Sequence, residues 1–203
     1  RVFCTCFRNR EERENPGGHL TSDCRGNLRI IHNEFQDKYD GLHMRCGTEP
    51  EMMWLKRGED GRPNGGVTKP NCYHIDQFEE LRPTFMKVIE YSQAMGLDII
   101  QGDHEDAPGQ LELNTMYDDV LRNADRLTTY RQICAQVARE DGLIACFMSK
   151  PFMGVSASGC HHNMSLWRGG KDTVNDLHFD KLPGMAGAFS YLVGGDNTFM
   201  PDP

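Results

Sequence analysis

The chain has 203 residues, of which 38% are hydrophobic and 26% charged, a composition typical of a soluble globular protein. Its formal net charge of −8 argues against a nucleic-acid ligand, because phosphate backbones need a basic surface. The longest uninterrupted apolar run, residues 143–148, is far shorter than the about 20 residues that a membrane-spanning helix needs. We therefore expect a cytoplasmic protein that binds neither nucleic acid nor a membrane.

The eight cysteines predict reduced thiols rather than disulfides or a zinc site. They are scattered through a chain that is long enough to bury a core without covalent cross-links. The close pair Cys4 and Cys6 lacks the two-residue spacing of zinc-binding cysteines. We therefore interpret the thiols as free and mostly buried.

Both ends of the sequence indicate a piece of a longer protein. The first residue is Arg1, and residues 2–7 have the pattern of the middle of a strand. At the other end, residues 199–203 form a turn-like segment that closes no element.

The first predicted elements are a helix, a strand and a long loop. The helix has an apolar face from Leu28 to Tyr39, and Gly41 lies just beyond its end. A strand is predicted from about residue 43 to residue 55. A glycine-rich loop then continues to about residue 70.

Two longer helices and further strands follow. Apolar residues repeat at helical spacing over residues 78–95, and Pro83 kinks that helix or marks its start. Asp118 or Asp119 suits the N-cap of an amphipathic helix that ends at Gly142. Strand-like patterns cover residues 110–114, 143–148 and 160–167. Since strands and helices alternate only loosely, we predict the α+β class.

A sharp turn brings two glutamates together. Glu105 and Glu112 flank the segment 107–109, in which a proline fixes φ and a glycine accepts positive φ. After the turn, polar and apolar residues alternate over residues 110–114, as in a strand with one wet face. Two carboxylates held close together repel unless a proton or a cation lies between them, so the turn predicts a metal site.

Two other strands also place polar side chains on one face. Glu49 and Glu51 are two residues apart and therefore point the same way, although a solvated strand face also explains this pair. Pro50 between them indicates an edge strand or a bulge. His161 lies on a strand in which polar and apolar residues alternate. Glutamates with one imidazole suit Mg²⁺ or Mn²⁺, and the number of carboxylates indicates two ions, an arrangement that supports phosphoryl transfer.

The chain resembles the glutamine synthetase family in four motifs that occur in order. They are the sequences GTEPE at residues 47–51, HEDAPGQLE at 104–112, FMSKP at 147–151, and SGCH with MSLW within 158–167. The resemblance implies the family's α+β catalytic domain, a curved antiparallel sheet with flanking helices, truncated at both ends. Residues 1–203 would form part of that domain, without the N-terminal β domain and the C-terminal part of the catalytic domain.

The resemblance implies a role for each matching metal ligand. Glu51, Glu105 and Glu112 match the ligands of a first divalent ion, and Glu49 and His161 match ligands of a second ion. Glu105 also matches the catalytic residue that helps to bind the ammonium or amine.

Other matching positions imply contacts with the nucleotide and the substrate. Tyr117 matches an aromatic residue that stacks on adenine, Ser165 matches a nucleotide contact, and Asn163 replaces a common histidine near the nucleotide. Ser156 and Ala157 replace the asparagine and glycine that contact the substrate glutamate and take over that substrate-binding position.

The implied reaction is the ATP-dependent ligation of the γ-carboxylate of glutamate to ammonia through a γ-glutamyl phosphate, which yields glutamine, ADP and phosphate. Two or more Mg²⁺ or Mn²⁺ ions are expected, and so is a homo-oligomeric ring of the full-length protein. Because parts of the site are missing, this chain alone is not expected to complete the reaction. Tyr73 matches a tyrosine of the ammonium pocket loosely, and we favour a core or loop aromatic there.

Three alternatives remain open. The changes at Ser156 and Ala157 are similar to those in relatives that join glutamate to methylamine, ethanolamine or polyamines, which predicts a γ-glutamyl-amide ligase. A non-catalytic relative is a second alternative, although it would have no reason to keep five metal ligands. A two-metal hydrolase is a third, but the sequence offers it no evident base beyond the ligands.

Overall fold

The structure is a computed structural model that describes residues 2–11, 19–168 and 171–172. Its elements in chain order are α1 (Cys24–Lys38), β1 (His43–Arg57), β2 (Pro63–Gly66), α2 (Ile75–Glu80), α3 (Arg82–Ala94), β3 (Ile99–His104), β4 (Gln110–Thr115), β5 (Asp118–Asp119), α4 (Val120–Glu140), β6 (Leu143–Cys146), β7 (Cys160–Arg168) and β8 (Lys171–Asp172). The strands are antiparallel wherever their register is defined. This confirms the predicted α+β class with an antiparallel sheet and helices.

The chain divides into two compact units. The first unit comprises residues 1–46, 118–125 and 163–203, and the second comprises residues 47–117 and 126–162. In the first unit, β5 pairs with the start of β1, and β7 pairs with β8. The guanidinium of Arg25 on α1 also forms a two-pronged ion pair with Asp125, at 2.8 and 2.9 Å.

Several predicted helix boundaries are confirmed. The helix predicted over residues 78–95 is divided into α2 and α3, and Pro83 lies in the first turn of α3 as expected. Asp119 accepts a hydrogen bond from the backbone N–H of Leu121 at 3.0 Å, so its carboxylate satisfies an otherwise unpaired donor at the start of α4. Gly41 and Gly142 adopt positive φ just beyond α1 and α4.

Other predictions from the sequence are wrong. The long loop after β1 contains strand β2, because residues 63–66 pair with the far end of β1. Residues 2–6 form no strand, and Phe7 makes only an isolated bridge with His19. The thiols are free as expected but not mostly buried, since only Cys46 and Cys134 are fully enclosed.

The sheet of the second unit has two faces of different character. β4 lies between β3 and β1, and β2 and β6 pair with β1 further along the strand. One face is apolar and packs on α3 and α4 through residues such as Met52, Trp54, Leu113 and Tyr130. The opposite face is polar at the β3–β4 end, and its small apolar cluster includes Met53 and Ala107. The helices thus cover the apolar face and leave the polar face for a site.

The polar face differs from the expected wet face because its side chains are enclosed. Gln110 is 1% exposed, and Glu112 and Asn114 are each 8% exposed. Pro50 does not lie on an edge strand, one of the two expectations for it, since β1 is an inner strand. The registered pairing of β1 with β4 begins at Glu51, the residue after Pro50, so the missing N–H leaves that ladder intact.

None of the helices in the described part of the chain is long and apolar enough to cross a membrane.

The turn between β3 and β4 requires glycine at residue 109. Gly109 has φ of +69°, and a Cβ atom there would lie 2.4 Å from the carbonyl oxygen of Trp54 and 2.8 Å from the backbone nitrogen of Val67. Both neighbours are backbone atoms held in hydrogen bonds, since Trp54 N–H donates to Gly109 and Val67 N–H donates to Trp54. A side chain at residue 109 would therefore force strands apart.

We predict that Gly109→Ala lowers the free energy of unfolding by about 3 kcal/mol, because a left-handed backbone cost and a backbone clash add. The matched control is Gly142→Ala, since Gly142 has the same φ of +69° and open space around its Cβ position. That control should lose only about 1 kcal/mol. Chemical denaturation followed by circular dichroism measures both values, and equal losses would contradict the assigned clash.

Candidate metal centre

A polar cavity of about 410 Å³ lies on the polar face of the second unit's sheet. Its wall combines five carboxylates with amide, phenol and imidazole groups. The lining residues are Glu49, Glu51, Tyr73, Gln101, Asp103, Glu105, Glu112, Asn114 and His161. All five metal ligands predicted from the sequence therefore meet at one cavity.

The strand register explains why these carboxylates meet. Glu51 on β1 lies opposite Glu112 on β4, and Glu112 lies opposite Asp103 on β3. Directly opposed side chains in an antiparallel sheet have their Cβ atoms about 5 Å apart. Three negative charges thus form a row across three strands, and Glu105 follows just beyond the end of β3.

The surroundings of Glu112 disfavour the charged form of its carboxyl group. Burial raises the pKa of its carboxyl group to about 7, and the charges of Glu49, Glu105 and Glu51 add to this effect. The side-chain amide of Asn114 donates to Glu112 Oε1 at 2.7 Å and opposes the shift. A carboxylate in this position is stabilised by a proton or by a cation.

Glu105 has a similar environment. Its pKa is raised by burial and by the nearby charge of Glu51. The thiol of Cys72 donates a weak hydrogen bond to Glu105 Oε2 at 3.7 Å. The Glu105 charge in turn raises the pKa of the Tyr73 phenol.

Glu51 is the most firmly held carboxylate of the row. Its Oε2 accepts hydrogen bonds from the side-chain amide of Gln110 at 2.9 Å and from the backbone N–H of Gly159 at 3.0 Å. Its Oε1 lies 3.6 Å from Nε2 of His161.

His104, the first residue of the turn motif, is a structural residue rather than a lining one. Thr68 Oγ1 accepts from the N–H of Gly109 at 2.8 Å, and it lies 2.6 Å from Nε2 of His104. The hydroxyl therefore donates to Nε2, and Nδ1–H of His104 donates to the carbonyl of Asn71 at 3.1 Å. Burial lowers the pKa of His104, in keeping with this neutral tautomer. The network fixes the loop that carries Cys72 and Tyr73.

The structure also places four residues on the cavity wall that the sequence did not assign to the site. Asp103 lines it because it lies opposite Glu112, and Gln101 and Asn114 line it as the next opposed pair along the same two strands. Tyr73 lines it too, from the loop position that the sequence favoured for it, 69% exposed and with φ of +58°. For Asp103 the signal was available in the sequence, since it lies two residues before Glu105 on the same face.

The predicted substrate residues lie on a loop next to this cavity. Ser156 donates a hydrogen bond to Asp106, and the Ala157 carbonyl accepts one from Gln110 at 3.0 Å. Tyr117, a predicted adenine contact, is partly exposed in the same unit. A contact of these residues with a substrate stays a prediction.

The other two predicted nucleotide residues lie in the first unit. Asn163 and Ser165 are both on β7, and the indole N–H of Trp167 donates to Ser165 Oγ at 2.7 Å. Their roles also stay predictions.

Comparison with known proteins identifies the family to which this fold and cavity belong. Residues 21–202 match the family described as the glutamine synthetase catalytic domain. The chain belongs to the glutamine synthetase family. The resemblance inferred from the four sequence motifs is thereby confirmed.

Individual relatives agree with this membership. Glutamine synthetase of Methanococcus voltae is 31% identical over 87% of this chain, which corresponds to 37% of that protein. Glutamate–methylamine ligase of Methyloversatilis universalis is 34% identical over 64% of this chain and 30% of that protein. The chain thus spans about a third of the length of these curated relatives.

Solved structures give the same result. A complex of GmaS with ADP is 30% identical and superposes with a TM-score of 0.66, over 74% of this chain and 35% of that chain. Glutamine synthetase of Plasmodium falciparum has a TM-score of 0.63 at 20% identity, over 77% of this chain and 36% of that chain, and shows the shared fold alone.

The donor atoms of the cavity fit the divalent cations expected in the glutamine synthetase family. Hard carboxylate oxygens with one imidazole suit Mg²⁺ or Mn²⁺. Asn114 Oδ1 is buried beside Glu112 and finds no hydrogen-bond partner in the described part of the chain. Within that part, no three Asp, Glu, His or Cys side chains converge closely enough to hold an ion as they stand.

We predict that Glu112→Gln stabilises the cation-free chain at alkaline pH. The pKa of Glu112 is raised from 4.5 to about 7, so the folded state binds this proton more tightly than the unfolded state. The resulting stabilisation is present at acid pH and is lost as the pH rises through about 7. The variant should gain about 3 kcal/mol at pH 8, measured by urea unfolding in EDTA, and almost nothing at pH 4. An equal gain at both pH values would show that Glu112 titrates normally.

Proposed function

We propose that this chain is part of the catalytic domain of an enzyme that ligates the γ-carboxylate of glutamate to ammonia with ATP, forming glutamine, ADP and phosphate. The observation that carries the proposal is the row of carboxylates that faces one cavity on the sheet of a glutamine synthetase-family domain. A γ-carboxylate is a poor electrophile, so phosphorylation by ATP must precede attack by the amine.

The proposed ligands divide into two groups. Glu51, Glu105 and Glu112 would hold a first Mg²⁺ or Mn²⁺ ion, and Glu49 and His161 would bind a second. When bound, such ions neutralise the charge of the transferred phosphoryl group.

Side chains of this chain would contribute to the remaining steps. The net negative charge of the cavity attracts an ammonium-type acceptor, and Glu105 is the carboxylate we assign to it. In the cation-free chain, burial and the neighbouring charge of Glu51 raise the pKa of Glu105. A bound cation would lower this pKa, so the carboxylate would stay charged beside the ammonium. Glu105 would hold the ammonium and accept the proton that it must lose before its nitrogen can attack.

A γ-glutamyl-amide ligase that uses methylamine, ethanolamine or a polyamine is the second candidate. The relative that carries the name glutamate–methylamine ligase supports it, at an identity similar to that of the glutamine synthetases. The pair of Ser156 and Asp106 supports it as well, because the hydroxyl at the proposed substrate position is already engaged by a side chain of this chain. We propose that this pair adapts the pocket to its amine.

The proposed setting is a cytoplasmic homo-oligomer of the full-length protein. The eight free thiols support a reducing compartment. The roles of Tyr117, Asn163 and Ser165 at the nucleotide form part of the same proposal.

We predict that the full-length protein releases phosphate from ATP only when glutamate and an amine are both present. Ammonia, methylamine, ethanolamine and putrescine should be compared as acceptors by kcat/KM, with the amide product identified by mass spectrometry. A preference for ammonia supports glutamine synthesis, and a preference for an alkylamine supports the second candidate.

The matched variant for this assay is Glu105→Gln, which keeps the shape of the side chain and removes its charge. We expect kcat/KM to fall by about 100-fold or more, in the range of lost acid–base catalysis. Phosphate release without any amine dependence, or full activity of Glu105→Gln, would contradict the proposed reaction.

A further inference from the structure

Gln110 joins three segments around the cavity through one buried amide. Its side-chain nitrogen lies 2.9 Å from Glu51 Oε2, 3.0 Å from the carbonyl oxygen of Ala157 and 3.1 Å from Ser158 Oγ. Its side-chain oxygen accepts from the backbone N–H of Ala107 at 2.8 Å. Both ends of the amide are therefore in use, and the residue is 1% exposed.

These contacts require an amide of this length. Because the N–H of Ala107 can only donate, Oε1 of Gln110 must face it, and Nε2 must face the acceptors of Glu51 and Ala157. A glutamate at this position would set one carboxylate oxygen against another. An apolar side chain would leave several buried polar atoms unpaired, which is costly in a protein interior.

The first consequence concerns the orientation of Glu51. Its Oε2 is occupied by two donors, Gln110 and the N–H of Gly159. Its Oε1 is directed to the side of His161, the neighbouring predicted ligand. Gln110 thus occupies Oε2 of Glu51, and Oε1, on the side of His161, remains available to a cation.

The second consequence concerns the loop that carries the predicted substrate residues. Ala157 and Ser158 are bound to the same amide that holds Glu51, and the N–H of Ser158 also donates to the carbonyl of Ser149 at 2.8 Å. A shift of the Glu51 carboxylate on cation binding is therefore transmitted to residues 157 and 158 through Gln110, whereas residue 159 is bonded to Glu51 directly.

We propose that Gln110 is a positioning residue that couples cation binding at Glu51 to the order of residues 157 and 158 in the neighbouring loop. The inference rests on the proposed cation site and adds to it a sequence of events, in which the cation orders the loop before glutamate binds. Coupling of this kind is reciprocal, so a less ordered loop must also weaken the binding of the cation.

The test compares Mn²⁺ binding by calorimetry in the full-length protein and in Gln110→Met, with Gln136→Met as the matched control on the outer side of α4. Loss of a residue that orients a metal ligand typically lowers the affinity for the metal by about 10- to 100-fold. We expect that loss for Gln110→Met and an unchanged affinity for the control. A folded Gln110→Met that binds Mn²⁺ as tightly as the wild type would overturn the proposal.

Hydrogen exchange of the segment 156–160 gives a readout that does not depend on activity. Saturating Mn²⁺ should slow exchange at residues 157 and 158 in the wild type and slow it clearly less in Gln110→Met. Equal slowing of hydrogen exchange in both proteins would contradict the proposed coupling. Should the wild type bind no Mn²⁺ at all, the proposed function fails instead, and the two failures are thus distinguishable.

A second variant keeps the proposal testable if Gln110→Met does not fold. Ser158→Ala removes one loop contact of the same amide without touching a predicted ligand. Because the coupling is reciprocal, the variant should lower the affinity for Mn²⁺ by about fivefold, which corresponds to the free energy of one hydrogen bond. An unchanged Mn²⁺ affinity in this variant would contradict the coupling.

Discussion

The opposition of Glu51 and Glu112 across β1 and β4 is the constraint on which the rest of the second unit depends. Like charges directly opposite each other destabilise a sheet, and here burial of Glu112 increases the cost. This unfavourable pairing persists because the register between β1 and β4 cannot shift. A shift by one residue would move Leu111 to the polar face and Glu112 into the helix-covered core, so hydrophobic packing fixes the pairing that electrostatics opposes.

The surrounding structure offsets this strain by holding the backbone near the cavity rigid. Gly109 allows the β3–β4 turn to pack directly on the backbone of β1, and the buried Thr68–His104 pair fixes the loop with Tyr73. None of these groups is placed to neutralise the carboxylates. The fold thus keeps negative charges together instead of relieving them, which is typical of a site that is completed by a ligand.

The sequence predicted the parts of the site that depend on local geometry. Alternation along one strand placed Glu49 and Glu51 together, and the Pro-Gly corner placed Glu105 near Glu112, because both relations hold within a few residues. The sequence analysis did not predict Asp103 as a cavity residue, because its position depends on the register between β3 and β4. Gln110 escaped for a related reason: its partners, Glu51 and Ala157, are distant in sequence, and a polar residue on a predicted wet face gives no hint of burial. Strand β2 was missed because glycines and a proline are typical of loops, and only its pairing with β1 makes it a strand.

Charge alone cannot choose the amine in the proposed reaction. Ammonium and small alkylammonium ions carry the same charge, so a row of carboxylates attracts them alike. Selection must therefore come from groups that limit space beside Glu105. In the described part of the chain, the Cys72 thiol touches that carboxylate, and Tyr73 follows it with φ of +58° and lines the same cavity. Both residues belong to the loop that His104 anchors, so the histidine next to Glu105 supports the shape of the pocket without binding the substrate itself.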